Sequence, residues 1–93
     1  MPLFKLTGFQ RDLLYVVASL DMPSGQGIKE KMEESTNIEV NHGRLYPNLD
    51  VLVDNGLVER GDLDRRTNYY RLTESGIQAL NDRREWENRL WKE

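Results

Sequence analysis

The stretch Asn41-His42-Gly43-Arg44-Leu45-Tyr46 carries residue types that suit contact with a phosphate or a base edge. Arginine can donate to a phosphate oxygen, or bidentately to guanine in a major groove. Gly43 lets the backbone approach a ligand closely. The Tyr46 hydroxyl can donate to a phosphate. If this stretch opens a helix, its unpaired N–H groups and the positive end of the dipole also favour an anion. Further along, Arg65-Arg66 forms a second basic pair, diluted by Asp62 and Asp64. Each feature has a plainer reading. Tyr46 could be a half-buried ring against a neighbouring helix, His42 an ordinary exposed first-turn residue, and Arg65-Arg66 a charged turn. Catalysis is not expected. The chain has no nucleophile with a base, no phosphate loop and no metal cluster, so no catalytic residue, metal ligand or cofactor is assigned.

These residues need a helix to present them, and Val40–Gly61 supplies its signals. Asn41 is a good N-cap, because its side-chain oxygen can accept from an orphan backbone N–H. Val40 and Leu45 have the spacing of a hydrophobic staple. Leu45, Leu49 and Leu52 recur at steps of four and three, so one leucine face is buried. Asn55-Gly56 is a stop signal, with Gly56 free to turn left-handed. Asp50 points away from the leucines. Pro47 is tolerated near the start at some cost, because the Gly43 carbonyl loses its partner.

Around this helix the periodicity predicts three more. Leu6–Leu20 is the first, with Thr7 and Gln10 at capping-box spacing and a wide apolar face. Ser24 caps a second that runs to about Ser35, with Ile28 and Met32 inward. Its mixed Lys and Glu residues read as a solvated face. A short link, Thr36–Glu39, joins it to the Asn41 helix in a helix-turn-helix arrangement. Leu57–Gly61 and Asn68–Leu72 are strands around a polar tip, Asp62–Thr67. Two strands alone are marginal, so this hairpin must lean on the helices. Thr73 caps a last helix from Glu74 to about the end. Ile77, Ala79 and Leu80 are expected to face its own domain, while Ala79, Arg83, Trp86 and Leu90 follow a 4-3-4 seam. The expected fold is mainly α with a small β-hairpin (α+β). It is a winged helix-turn-helix domain over 1–73 plus a dimerisation helix over 74–93.

Composition bounds the rest. The chain has 93 residues, a formal net charge of −3 and no cysteine. It is one small domain with no disulfide framework, and pairing with a second copy is plausible from size alone. The net charge excludes a protein coated in basic residues. Nine Arg against four Lys, among abundant Asp and Glu, would suit a high-salt cytoplasm. No apolar run is of membrane-spanning length and no signal-peptide pattern opens the chain, so a cytoplasmic location and no membrane partner are expected. A terminal helix with Trp86 and Trp91 should bury them somewhere. Dimerisation through this helix and the first one is expected, using Leu13, Val17, Trp86, Leu90 and Trp91. The plainer reading folds both rings back on their own core.

Gly43-Arg44-Leu45-Tyr46-Pro47-Asn48-Leu49, followed by Leu52 and Asn55-Gly56-Leu57-Val58-Glu59, resembles the central signature of the PadR family of transcriptional regulators. Arg66-Thr67-Asn68-Tyr69-Tyr70-Arg71-Leu72-Thr73-Glu74-Ser75-Gly76 resembles the family's wing strand and the start of its last helix. Gly25-Gln26-Gly27-Ile28 sits where the family opens its second helix. The resemblance spans about residues 6 to 90. It implies a homodimeric winged-helix repressor of the short form, with double-stranded DNA as partner and a pseudo-palindromic operator. The DNA-contacting set it implies is Asn41, His42, Gly43, Arg44, Tyr46 and Asn48, with Arg65, Arg66 and Asn68 from the wing. The sequence departs from the pattern at two places. Asp50 and Val51 stand where relatives commonly carry basic residues, and Gln26 stands where the family usually has an aromatic.

Two alternatives keep the fold and change the function. One is a winged-helix module that binds protein and not DNA, which the net acidity and Asp50 support. The other is a repressor gated by an aromatic small-molecule effector held between Trp86 and Trp91.

Overall fold

A computed structural model describes residues 2–92. A 3-10 turn over Pro2–Lys5 leads into α1 (Gly8–Ser19), α2 (Gly25–Thr36) and α3 (His42–Asp54). The hairpin β1 (Val58–Asp62) and β2 (Asn68–Leu72) follows, and α4 (Glu74–Leu90) closes the fold. Each helix begins where the sequence places an oxygen for its orphan N–H groups. Thr7 Oγ1 accepts from the Gln10 amide at 3.1 Å, and Gln10 Oε1 accepts from the Thr7 amide at 3.0 Å, a complete capping box. Ser24, Asn41 and Thr73 accept from Gly27, Arg44 and Gly76 at 3.1, 2.8 and 3.0 Å.

The end of α3 sets the start of the wing. Gly56 adopts φ +72°. Its amide donates to Val53 O at 2.9 Å, and the Leu57 amide reaches back to Leu52 O at 3.1 Å. That is a Schellman ending. Leu57 O accepts from the Thr73 amide at 3.1 Å. Leu57 is thus committed to the helix end, and the strand begins one residue later than the alternation predicts.

β1 and β2 pair antiparallel with Val58 opposite Leu72 and Arg60 opposite Tyr70. The hairpin leans on the helical body through backbone as well as side chains. Ser24 forms a β-bridge with Tyr69, and the Tyr70 amide donates to Pro23 O at 2.9 Å. The link before α2 therefore acts as a one-residue third strand, which the sequence pattern does not reveal.

The core joins Leu3 and Leu6 to Leu13, Leu14 and Val17 of α1, Ile28 and Met32 of α2, and Leu45, Leu49 and Leu52 of α3. Val58, Tyr70 and Ala79 complete it from the hairpin and α4. Two expectations need correction. Leu13 and Val17, expected at a dimer interface, are 0% and 1% exposed inside this core. Moving one such side chain out to a partner would cost about 1.5–3 kcal/mol. Ile77, expected to face its own domain, is 50% exposed, whereas Ala79 is buried. Gly76 explains how α4 docks: a side chain there would collide with the Leu57 carbonyl, so the helix rests directly on backbone. Its closest face therefore follows Gly76, Ala79 and Arg83. Ile77 lies about 100° round from Gly76 and faces out. Further along, Trp86 packs edge-on against Phe4 with ring centroids 5.0 Å apart, and the Arg83 guanidinium lies 4.5 Å over the Trp86 ring. Among the described residues, no helix is long and apolar enough to cross a membrane.

Candidate nucleic-acid interface

With its leucines turned inward, α3 presents two flanks. On the α2 flank, Tyr46 rests over Gly25, where a Cβ would come within 2.8 Å of its hydroxyl oxygen and two of its ring carbons. His42 lies beside it, with ring centroids 5.7 Å apart, and His42 Nε2 is 3.4 Å from Gln26 Oε1. Tyr46 thus packs against α2 and is still 38% exposed. Gln26 makes a polar contact with the first turn of α3.

The α1 flank is built differently. The Arg44 guanidinium stacks 3.9 Å from the centroid of the Phe9 ring. Such a cation–π contact orients the fork and adds roughly 0.5–1 kcal/mol at an exposed site. Asn48 Oδ1 accepts from Gln10 Nε2 at 2.9 Å, and its Nδ2 donates to Arg44 O at 2.7 Å. Both ends of this amide are used inside the chain. Asn48, implied as a DNA contact, also clamps α3 to α1.

The turn into α3 is pinned from α2. Glu33 accepts from the Val40 amide at 2.8 Å and pairs with Lys29 at 3.1 Å. The amide bond first, and then Lys29, hold the Glu33 carboxyl below the usual carboxylate range. Part of what reads as a solvated face thus fixes the helix-turn-helix geometry. The Asn41, His42 and Gly43 side of the first turn is left exposed.

At the wing, Asp64 Oδ1 accepts from the Arg66 and Thr67 amides, each at 2.9 Å. The Leu63 and Asp64 amides donate to Thr67 O at 2.8 and 3.1 Å. The Arg66 amide first, and then Thr67, hold the Asp64 carboxyl below its ordinary range. Asp64 therefore shapes the tip that carries the arginines. Arg65 and Arg66 are exposed, and neither makes an ion pair among the described residues. A groove of about 370 Å³ separates the wing from the helices, lined by Ser24, Gln26, Tyr46, Arg66, Asn68 and Tyr70 among others. Of the expected contact set, it brings together Tyr46, Arg66 and Asn68. Arg44 lies on the other flank of α3.

The strand arginines differ from those at the tip. Arg60 Nη1 lies 2.6 Å from Asp50 Oδ1, which ties β1 to α3. The Asp50 carboxylate, followed by the Tyr70 hydroxyl, raises the Arg60 pKa. Arg71 Nε lies 2.9 Å from Glu59 Oε1 across the hairpin. Sequence reasoning singled out Asp50 but missed Arg60. The available signal was an outward carboxylate on α3 followed by an arginine on the adjoining strand.

Away from this face, Leu90 and Trp91 are 67% and 78% exposed, whereas Trp86 is partly covered by Phe4 and Arg83. The three line one shallow groove on α4. Among the described residues, no three His, Cys, Asp or Glu side chains group as a metal site.

A model of the transcriptional regulator PadR-like family matches residues 13–82. The solved structure of RosR from H. salinarum is 47% identical, with a TM-score of 0.89 over 97% of this chain and 81% of that one. RosR in a solved complex is 48% identical, with a TM-score of 0.88 over 95% of this chain and 78% of that one. A winged-helix DNA-binding protein from STIV, at 18% identity, shares the fold: the TM-score is 0.75 over 95% of this chain and 97% of that one. No curated protein matches the chain. The four helices and two-stranded hairpin are the winged-helix architecture, and the matching family consists of transcription regulators, not enzymes. With the signature of α3, the wing and the start of α4 all inside the matched span, this chain belongs to the PadR-like family of transcriptional regulators.

Proposed function

We propose that the protein is a cytoplasmic homodimeric DNA-binding repressor that reads duplex DNA with the first turn of α3 and the tip of the wing. One observation carries this reading: the groove that places Tyr46, Arg66 and Asn68 beside the exposed first turn of α3. Asn41, His42 and Gly43 bring backbone N–H groups and the helix dipole to a phosphate. Arg44 donates to a base edge or a phosphate from its perch on Phe9. Arg65 and Arg66 reach flanking phosphates or the minor groove, where arginine is favoured. Two copies joined through Leu90 and Trp91 at the end of α4 would read a pseudo-palindrome with half-sites about one helical turn apart. A dimer held across a promoter excludes the polymerase. The groove formed by Trp86, Leu90 and Trp91 is where a flat aromatic effector would act on that dimer.

The test is gel retardation of the duplex upstream of the protein's own gene. Wild type should retard it with a linear fall of log K against log salt. Arg66→Ala should weaken binding and reduce that slope by about one unit. Absence of retardation by wild type at any salt concentration would overturn the reading in favour of a protein-binding module.

A further inference from the structure

The wing and its neighbours carry their positive charge in two states. On the strands, Arg60 is held by Asp50 at 2.6 Å and Arg71 by Glu59 at 2.9 Å. At the tip, Arg65 and Arg66 make no ion pair among the described residues. We infer that Asp50 is a specificity determinant: it neutralises Arg60 at the junction of α3 and the wing, and so suppresses sequence-independent binding to DNA. The inference rests on the DNA-binding reading above.

The alternative role for this ion pair is mechanical, and magnitudes argue against it. Asp50 and Arg60 side chains are 54% and 40% exposed. An exposed pair of this kind contributes little to stability, and less in salt. The wing is already held by the Tyr70 amide on Pro23 O, the Ser24–Tyr69 bridge and the Thr73 amide on Leu57 O. Beside those bonds the ion pair adds little rigidity. Its electrostatic effect is different in kind. Sequence-independent affinity comes from cations that displace counterions from phosphates. A carboxylate that occupies Arg60 removes one such cation from the junction of α3 and the wing. The cations of the expected contact set, free of ion pairs among the described residues, lie at two places, Arg44 on the α1 flank of α3 and Arg65 and Arg66 at the tip of the wing. Binding then depends more on a duplex whose shape and base edges fit both places. Asp50 thus acts through Arg60, as a charge-setting residue and not as a base reader.

The test compares wild type, Asp50→Asn and Glu59→Gln. Asn is nearly isosteric with Asp and keeps the helix. Glu59→Gln changes the net charge equally but frees Arg71, which lies on the other face of the hairpin. Two probes are used: a duplex selected by wild type from a random pool, and poly(dI-dC). Asp50→Asn should bind poly(dI-dC) roughly three- to ten-fold tighter, with a salt slope steeper by about one unit. Its preference for the selected duplex should fall by a similar factor. Glu59→Gln should change the preference by less than half as much. Weaker or unchanged poly(dI-dC) binding by Asp50→Asn would overturn the inference, as would an equal effect of Glu59→Gln. Wild type that binds neither probe would overturn the DNA-binding reading itself, a separately recognisable result. Unfolding by urea, followed for all three proteins, checks that the variants retain the fold.

Discussion

The Tyr46 ring occupies the space that a side chain at Gly25 would need. The first residue of α2 is thereby matched to the first turns of α3, and the position of Tyr46 on the candidate contact face depends on a hydrogen atom at Gly25. Gly25→Ala should push the ring outward. The ring is partly exposed and can move, so the stability loss should be small for an overpacking change, about 1 kcal/mol. DNA affinity should fall by a larger factor than stability predicts. Urea unfolding and DNA titration of the same variant check the two parts, and Gly25→Ala combined with Tyr46→Ala should restore the stability.

Gly76 provides the contrast. The atom in the way there is the Leu57 carbonyl, which already accepts from the Thr73 amide and cannot swing aside. Gly76→Ala should therefore displace the whole start of α4 and cost about 2–3 kcal/mol, despite the better helix propensity of alanine. A thermal midpoint equal to that of wild type would show that α4 does not rest on Leu57 as described.

Acid should loosen the turn between α2 and α3. The Glu33 carboxyl is held below its ordinary value of 4.5 in the folded chain. A depressed folded pKa contributes stability that is present above the unfolded value and lost as pH falls through the folded one. Wild type should exceed Glu33→Gln in urea midpoint at pH 7. The gap should close as pH drops below 4.5. A gap that stays constant into acid would mean that the ionised carboxylate is not what pins Val40.

Self-association should depend on the end of α4 and not on the buried face of α1. Trp91→Ala and Leu90→Ala should each shift sedimentation towards monomer, since both side chains are exposed in the single chain. Truncating Leu13 instead should lower stability by about 2–5 kcal/mol, because it empties core volume. Sedimentation velocity beside thermal unfolding separates the two classes of variant.

Much of this was legible in the residues, and the parts that were not share a cause. Local signals carried the four helix caps, the Gly56 stop and the bounds of β2, because each depends on groups within a few residues of one another. The leucine spacing identified the buried face of α3 for the same reason. The misses depend on which elements meet. The wide apolar face of α1 says that Leu13 and Val17 are buried, but not whether their cover is the same chain. The face that α4 turns inward is set by Gly76 against a carbonyl nineteen positions earlier in the chain. That Asn48 also ties α3 to α1 is invisible until Gln10 is seen opposite it. Asp50 reads as a liability on α3 until Arg60 arrives from β1.

Duplex DNA is expected to meet the first turn of α3 together with the tip of the wing. Backbone amide shifts of isotopically labelled protein, followed by NMR as the promoter duplex is added, test it most directly. The largest changes should fall at residues 41–46 and 64–68, with residues 74–82 of α4 nearly unmoved. Changes concentrated on α4, or none at either of the first two segments, would contradict the account.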